Sequence, residues 1–569
     1  GMELFRQTRG TLGYAADDAA PYLDLLIARA HADPASALRY QSLFFDAAQS
    51  VVSLTTSRTV ARLAARVGQG DSGSAALARN LDDAQRELTV KTARAQHMLV
   101  TPGYADKQRA DDEAELARLG NEVRSLQQQL LAANPRYGQL VASAATLADL
   151  QKALNPGEIY VKTVLLARGG YVIAITPATV DIYSIPLSRA QADAAVLRLR
   201  HPFDARSTLP RFDVVAAHDL FATVFGPVIG KVAAARSLIY EPDGALVNLP
   251  AAVFVVDAAS VDAYKGHVAD FQKNREIDLY EGIAWLGRDR DVSLSVSATG
   301  FLQSRNFPVS RAARVFVGFG APVVRDPRDP NLFALTTQGR EGAALAACDQ
   351  VRLKMVRALG RPIRGIDQTI REIGAGLGAG PDDIVLGAAF TDTGMQQDRD
   401  LANYRIVFFG THGLLPGSEA CLPEPALVTS LGIGGAVQSD ALLDTSEILD
   451  LKLDAELVVL SACDTGGAGS AEADRTGLTG SGEALGGLAR DFIYAGGRGL
   501  IVSQWEVDTN ATLQLMKQLF QPGAASQGDA LRRAERTLMD SRDFSHPFYW
   551  AGFSLVGDGA RAMPTGQGK

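Results

Sequence analysis

At 569 residues the chain is too long for one hydrophobic core, and 47% hydrophobic with 21% charged residues is the composition of a globular protein of roughly two to four domains. A formal net charge of −8 without any basic stripe argues against a nucleic-acid ligand, and no run reaches the roughly 18 uninterrupted apolar residues of a membrane span. Its three cysteines, Cys348, Cys421 and Cys463, are irregularly spaced, which excludes a disulfide framework and leaves one of them as a candidate reactive thiol.

The opening "GMELFRQTRG" lacks the apolar core of a signal peptide. Gly1 ahead of Met2 reads as a cloning remnant, so the natural chain is expected to extend upstream or to have lost a leader. A cytoplasmic location is expected, with the periplasm as the alternative if a leader has been removed. Residues 17–135 carry helical periodicity. In "ELARLGNEVRSLQQQLLAANP" the apolar positions Leu116, Leu119, Val123, Leu126 and Leu130 form the stripe of a packed or coiled helix, and Leu77, Leu81, Ala84 and Leu88 follow a similar rule. "VTPGYADKQ" supplies a turn between them, which predicts a helical hairpin within an N-terminal arm, residues 1–155. Such an arm is expected to act as a scaffold or to dock a regulatory protein.

From residue 157 the pattern changes to short apolar runs. "EIYVKTVLLARGGYVIAIT" predicts two strands around a Gly169-Gly170 turn, followed by helical "RAQADAAVLRLR" and the strand candidate "RSLIYEPDG". Beyond residue 310 strands and helices alternate: "RVFVGF", "EGAALAACDQVRLKMVRAL", "YRIVFFG", "ELVVLSA", "GEALGGLARDFIYAG", "RGLIVSQW", "TNATLQLMKQLF". Near-continuous apolar strands in such an order predict a parallel sheet covered by helices on both faces, in two α/β units spanning residues 156–310 and 311–569.

In open parallel sheets reactive groups sit beyond the carboxyl ends of strands. "RIVFFGTHG" delivers His412 there, and "LVVLSACDTGG" delivers Cys463. His412 precedes Cys463 by about 50 residues, the order and spacing of caspase-type thiol proteases, although the local letters of that signature are absent. A thiol becomes a strong nucleophile as thiolate, and a neighbouring imidazole both favours that ionisation and can protonate a leaving amine. The backbone amides of Gly413 and Cys463 are the candidate oxyanion donors. His546 is the rival histidine, in a "SHPFYW" segment expected to start a strand packed on the sheet. Cys421 is expected in an exposed loop and Cys348 in a helix core. Glycine-rich "LGIGGA" and "GSGEALGG" lack the Lys-Ser/Thr of a phosphate cradle, and no metal-ligand cluster is visible, so no cofactor is expected.

Five blocks resemble, in order, those of the CHAT domain, a caspase-like fold related to separase: "LIYEPDGALVNLPAAVF", "FTDTGMQQDRDLANYRIVFFGTHG", "LLDTSEILDLKLDAELVVLSACDTGGA", "GEALGGLARDFIYAGGRGLIVSQWEVDTNATLQLMKQLF" and "HPFYWAGFSLVGDG". The resemblance implies a caspase-like three-layer α/β sandwich in which residues 156–310 are a catalytically silent pseudo-caspase half and residues 311–569 the active half. It also implies Cys463 as nucleophile and His412 as general base and acid. Where many relatives read SACNTG or SACETG this chain has Asp464, a negative charge beside the thiol. The helical arm is similar to the coiled segment that joins tetratricopeptide repeats to such domains in bacterial proteins, and no repeat of about 34 residues is visible here, so such repeats are expected upstream.

In this clan the pocket for the substrate residue before the scissile bond borders the strand after the nucleophile. Here that strand ends in Ser503, Trp505, Glu506 and Asp508, and its carboxylates imply a basic substrate residue, with Asp508 ahead of Glu506 as its partner. Asp508 is equally well placed to cap the following helix. "GGAGSAEADRTGLTGSG", after the nucleophile, has the composition of a loop ordered by an activating event. The expectation is a cysteine endopeptidase acting on a protein or peptide, with no nucleic-acid or membrane partner. The alternatives are a catalytically silent adaptor of the same shape, or an acyl-transfer enzyme using the same dyad.

Overall fold

The structure, a computed structural model, describes residues 19–51, 84, 114–115, 118–119, 121–122, 125–126, 129, 145–204, 209–274, 277–323, 363–397, 400–414, 426–431, 439, 441–461, 491–493, 495–505 and 508–565. Its strands are β1 (Glu158–Leu165), β2 (Gly170–Ile175), β3 (Val180–Ile185), β4 (Ser237–Glu241), β5 (Asp291–Leu294), β6 (Arg314–Gly320) and β7 (Ile384–Leu386). They continue with β8 (Tyr404–Gly410), β9 (Gly413–Leu414), β10 (Ala426–Val428), β11 (Leu442–Asp444), β12 (Leu457–Ser461), β13 (Gly499–Ser503) and β14 (Phe553–Gly557). The helices that matter below are α1 (Ala20–Ala32), α2 (Ala37–Val51), α3 (Leu147–Ala153), α4 (Arg189–Asp204), α5 (Ala298–Asn306), α6 (Ile366–Gly376), α7 (Thr509–Leu519), α8 (Gln527–Met539) and α9 (Pro547–Trp550).

Among the described residues eleven strands form one sheet in the order β3-β2-β1-β4-β5-β14-β13-β12-β8-β6-β7. The predicted Gly-Gly hairpin is present, with β1 and β2 antiparallel and Leu165 opposite Gly170. β1, β4 and β5 are mutually parallel, as are β6, β7, β8, β12 and β13. β14 lies antiparallel to β13 and parallel to β5, so it joins β1–β5 to the parallel strands β6, β7, β8, β12 and β13.

β1, β12 and β13 are buried along their whole length, which is why their sequences read as apolar runs and not as alternating patterns. The lysine in "EIYVKTVLL" fits this rule by pairing: buried Lys162 is bonded to buried Glu241 on the neighbouring strand, and Tyr160 donates to the same carboxylate. On one face α6 lies close against a glycine row. A Cβ at Gly318 would come within 2.4 Å of Ile370, and one at Gly410 within 2.4 Å of Ile366. On the other face Phe319 and Phe409 stack on each other and meet Phe390 and Phe492. Helix, sheet and helix give the three layers of the expected sandwich.

The N-terminal helices cover part of the first unit. Leu23, Leu26, Phe44 and Phe45 of α1 and α2, with Leu147 and Leu150 of α3, form a second core against Tyr160, Val164, Ile173 and Phe301. Of the predicted helical stripes, Ala84 and Leu119 are helical and buried, and Leu126 is helical and half-buried. Their remaining apolar positions and the turn at residues 100–108 lie outside the described residues, as does the predicted helix at residues 341–359. Among the described residues one helical run, Val214–Ala234, is long and apolar enough to cross a membrane by length and composition, but its Leu220, Phe221, Val224 and Phe225 are packed in the main core.

The amino-terminal rim of the central strands is held by ions. Arg305 on α5 reaches Glu158 at the start of β1 through two bonds of 3.0 Å and Asp558 after β14 through two of 2.8 Å. Arg561 pairs with Glu456 before β12 at 2.7 Å, and Arg498 before β13 pairs with Asp454. Both carboxylates at Arg305 are almost wholly buried, so removing their cation leaves two uncompensated charges. Arg305→Ala is expected to cost about 3–5 kcal/mol of stability, read from urea unfolding midpoints, with Arg305→Lys recovering only part because a single ammonium cannot make both paired contacts.

Candidate active site

At the carboxyl-terminal rim of residues 311–569 the parallel registers align four strand ends. Gly320 of β6 is opposite Gly410 of β8, Gly410 is opposite Ser461 of β12, and Leu460 is opposite Val502 of β13. His412 follows β8 by two residues and is half-buried. Its backbone is clamped on both sides: the Val428 N–H donates to the His412 carbonyl at 2.9 Å, and the hydroxyl of fully buried Thr411 donates to the Val428 carbonyl at 2.5 Å.

Gly413 begins β9, the edge of a small antiparallel sheet ordered β11-β10-β9, and stands opposite Leu427. Since the preceding pair, His412 and Val428, is hydrogen-bonded, Gly413 and Leu427 form the non-hydrogen-bonded kind of pair. The Gly413 N–H is therefore turned away from β10, outward from the sheet edge. The short strand β10 escapes a sequence reading because three residues of "EPALV" carry no usable period.

Cys463 comes two residues after Ser461 and lies outside the described residues, as do Cys348, Cys421, Glu506 and residues 466–482. The other residues expected at the pocket are described. Ser503 is fully buried. Trp505 is 1% exposed, its ring stacked on Phe203 of α4 at 4.2 Å with the Arg200 guanidinium 5.9 Å above it and its indole N–H donating to the Phe548 carbonyl at 3.1 Å. In this structure the ring is a packing element between the two units. Asp508 is half-buried and caps α7, its Oδ1 accepting from the Ala511 N–H at 2.9 Å. Burial, and secondarily the charge of Asp508, holds the Tyr549 hydroxyl above its usual pKa.

His546 corrects an expectation. The segment "SHPFYW" does not start a strand: Pro547–Trp550 is a short helix, and His546 is its N-cap. Proline at the first helical position suits a helix start, and the imidazole Nδ1 accepts the Phe548 N–H at 3.0 Å while Nε2 donates to the Pro210 carbonyl at 3.0 Å. Both nitrogens are engaged, the ring meets Tyr280 edge-on at 5.0 Å, and burial pushes its pKa down to about 4. Among the described residues no group of three or more His, Cys, Asp or Glu side chains could hold a metal ion.

A sequence profile described as "CHAT domain" matches residues 214–558. Tetratricopeptide repeat protein 28 of Homo sapiens is 31% identical over 149 residues, which are 25% of this chain and 6% of that protein. Its Mus musculus counterpart is 33% identical over 124 residues, 21% of this chain and 4% of the relative, so this chain spans only a small part of either relative's length. Among solved structures, the Saccharomyces cerevisiae separase–securin complex is similar at a TM-score of 0.37 with 8% identity, covering 74% of this chain and 31% of that one. The Arg-specific cysteine proteinase gingipain R is similar at 0.24 with 11% identity, covering 61% and 77%.

The buried imidazole of His546 has a pH signature. Its folded pKa of about 4 lies below the ordinary 6.5, so the unfolded chain binds the extra proton first as pH falls. The stability tied to the neutral ring is complete above 6.5 and is lost as pH falls towards 4, by on the order of 3 kcal/mol. His546→Asn, which keeps a capping acceptor, is expected to be less stable than wild type at pH 7, with the gap narrowing steadily between pH 6.5 and 4.5 in urea titrations. A constant gap would contradict the assignment.

Proposed function

The chain belongs to the CHAT domain family, and on that premise we propose that it is a caspase-like cysteine endopeptidase that cuts a protein partner after a basic residue, with Cys463 as nucleophile and His412 as general base and acid. The observation that carries this reading is the register of β8 and β12. Gly410 and Ser461 are direct partners at the ends of adjacent parallel strands, and the chain runs two residues from the first to His412 and two from the second to Cys463.

In the proposed reaction the imidazole takes the thiol proton, and the thiolate attacks the carbonyl carbon of the scissile peptide. The oxyanion is met by the N–H groups of Gly413 and Cys463, of which the first faces out from its sheet edge. Collapse forms a thioester and expels the amine, protonated by the imidazolium. Water, deprotonated by the same imidazole, then attacks the thioester and releases the acid with the thiol restored. For the substrate cation the proposal assigns Asp508 ahead of Glu506, through the Asp508 carboxylate oxygen that does not cap α7. The exposed Leu25 and Leu38 of the N-terminal helices support docking of a regulatory protein on that arm.

A second reading, a catalytically silent adaptor, is favoured by the burial of Ser503 and Trp505, which closes two expected pocket walls in this structure. The two readings separate in one experiment. An electrophilic peptide probe ending in Arg is expected to label wild type, with Cys463→Ala unlabelled, His412→Ala slowed by at least about 100-fold and an Asp-ended probe unreactive. Absence of labelling in the presence of every tested activating partner, while partner binding persists, supports the adaptor. Equal labelling by Asp- and Arg-ended probes removes the basic preference and keeps the peptidase.

A further inference from the structure

Three segments leave the sheet on the β6, β7 and β8 side of the carboxyl rim, and one side chain joins them. Ser430, two residues after β10, is fully buried. Its hydroxyl accepts from the Val323 N–H after β6 at 2.8 Å and donates to the Gly387 carbonyl after β7 at 2.7 Å. Its own N–H donates to the Phe390 carbonyl at 2.7 Å, and its carbonyl accepts from the Ser439 hydroxyl at 2.7 Å. Two residues upstream, Val428 bonds to the chain on either side of the His412 side chain, through the Thr411 hydroxyl and the His412 carbonyl. The run from Ser430 through buried Thr429 to Val428 thus ties the loops after β6 and β7 to the backbone of His412.

We propose that Ser430 is a positioning residue for His412: its hydroxyl fixes β10 on the loops after β6 and β7, and Val428, through Thr411 and the His412 carbonyl, transmits that fixed position to the imidazole. The inference rests on His412 being the general base. The chemistry needs a hydroxyl at this point, since one small buried group must accept from one loop and donate to another at once. Alanine offers neither function, whereas threonine offers both. Thr411 belongs to the same device, as valine has its shape without its donor.

The readout is the pH dependence of iodoacetamide alkylation at Cys463, followed by mass spectrometry of the peptide that contains it, so that neither substrate identity nor the other two cysteines enters. A thiolate held by a neighbouring imidazole reacts well below the ordinary thiol pKa of about 8.5. Ser430→Ala and Thr411→Val are each expected to move the profile towards 8.5, as His412→Ala does, while Ser430→Thr keeps the wild-type profile. On a cleavable substrate kcat falls roughly 10- to 100-fold with KM little changed, the scale of a small misplacement of a catalytic group. If Ser430→Ala folds and alkylates with the wild-type profile while His412→Ala shifts it, the positioning role is overturned and the dyad stands. If Ser430→Ala does not fold, an unshifted Thr411→Val profile overturns it equally. Should His412→Ala itself leave the profile unchanged, the dyad fails and this inference with it.

Discussion

The arrangement at the carboxyl rim depends on β8 and β12 being parallel neighbours with both faces covered. Parallel strands satisfy their backbones on one another, and burial on both faces forces each to be apolar until it leaves the sheet. Polar chemistry is then confined to the residues just beyond the last partnered pair, Gly410 and Ser461. The glycine row makes this tighter. Because Gly318 and Gly410 have no Cβ, Ile370 and Ile366 of α6 seat directly on the strands, and the chain after β8 pairs with β10.

The two rims of the sheet are stabilised by different means. At the amino rim Arg305, Arg498 and Arg561 gather Glu158, Asp454, Glu456 and Asp558, binding α5 and β14 to the strands of both units. Buried ion pairs of this kind are costly to break one partner at a time, which suits a rim that only has to stay closed. At the carboxyl ends of β6, β7 and β8 the joints described are hydroxyl and backbone bonds: Thr411 to Val428, Ser430 to Gly387, and Val323 to Ser430. Neutral bonds hold the loops in place without adding a fixed charge beside groups whose protonation is the proposed chemistry.

Much of this was legible in the sequence because its causes are local. The β1–β2 hairpin announces itself by Gly169-Gly170, and β6, β8, β12 and β13 by apolar runs that only a doubly covered sheet requires. His412 was legible as a polar residue following such a run. What was not legible depends on distant partners. β14 was not read as a strand, and its place between β5 and β13 is set by the whole sheet order. β10 is too short for any period. His546 resembled a strand residue because its aromatic neighbours suggest burial, and only the Pro547 helix start and the Pro210 carbonyl make it a cap. Ser430 has no sequence signal, as its four contacts come from segments between 323 and 439 that converge only in the fold.

Residues before and after position 310 share one aromatic layer. Phe203, near the end of α4, stacks on Trp505, two residues after β13, and on Phe212; Phe212 in turn meets Trp285, which packs on Trp550. His546 sits in the same cluster, neutral, with both ring nitrogens engaged and Tyr280 against its edge. An aromatic layer of this size is rigid, since each ring can move only if its neighbours do. The direction of the chain after β13, and with it the Asp508 cap of α7, is therefore set jointly by residues on both sides of position 310. Residues 189–285 thereby help to shape the wall of the pocket proposed for a substrate side chain.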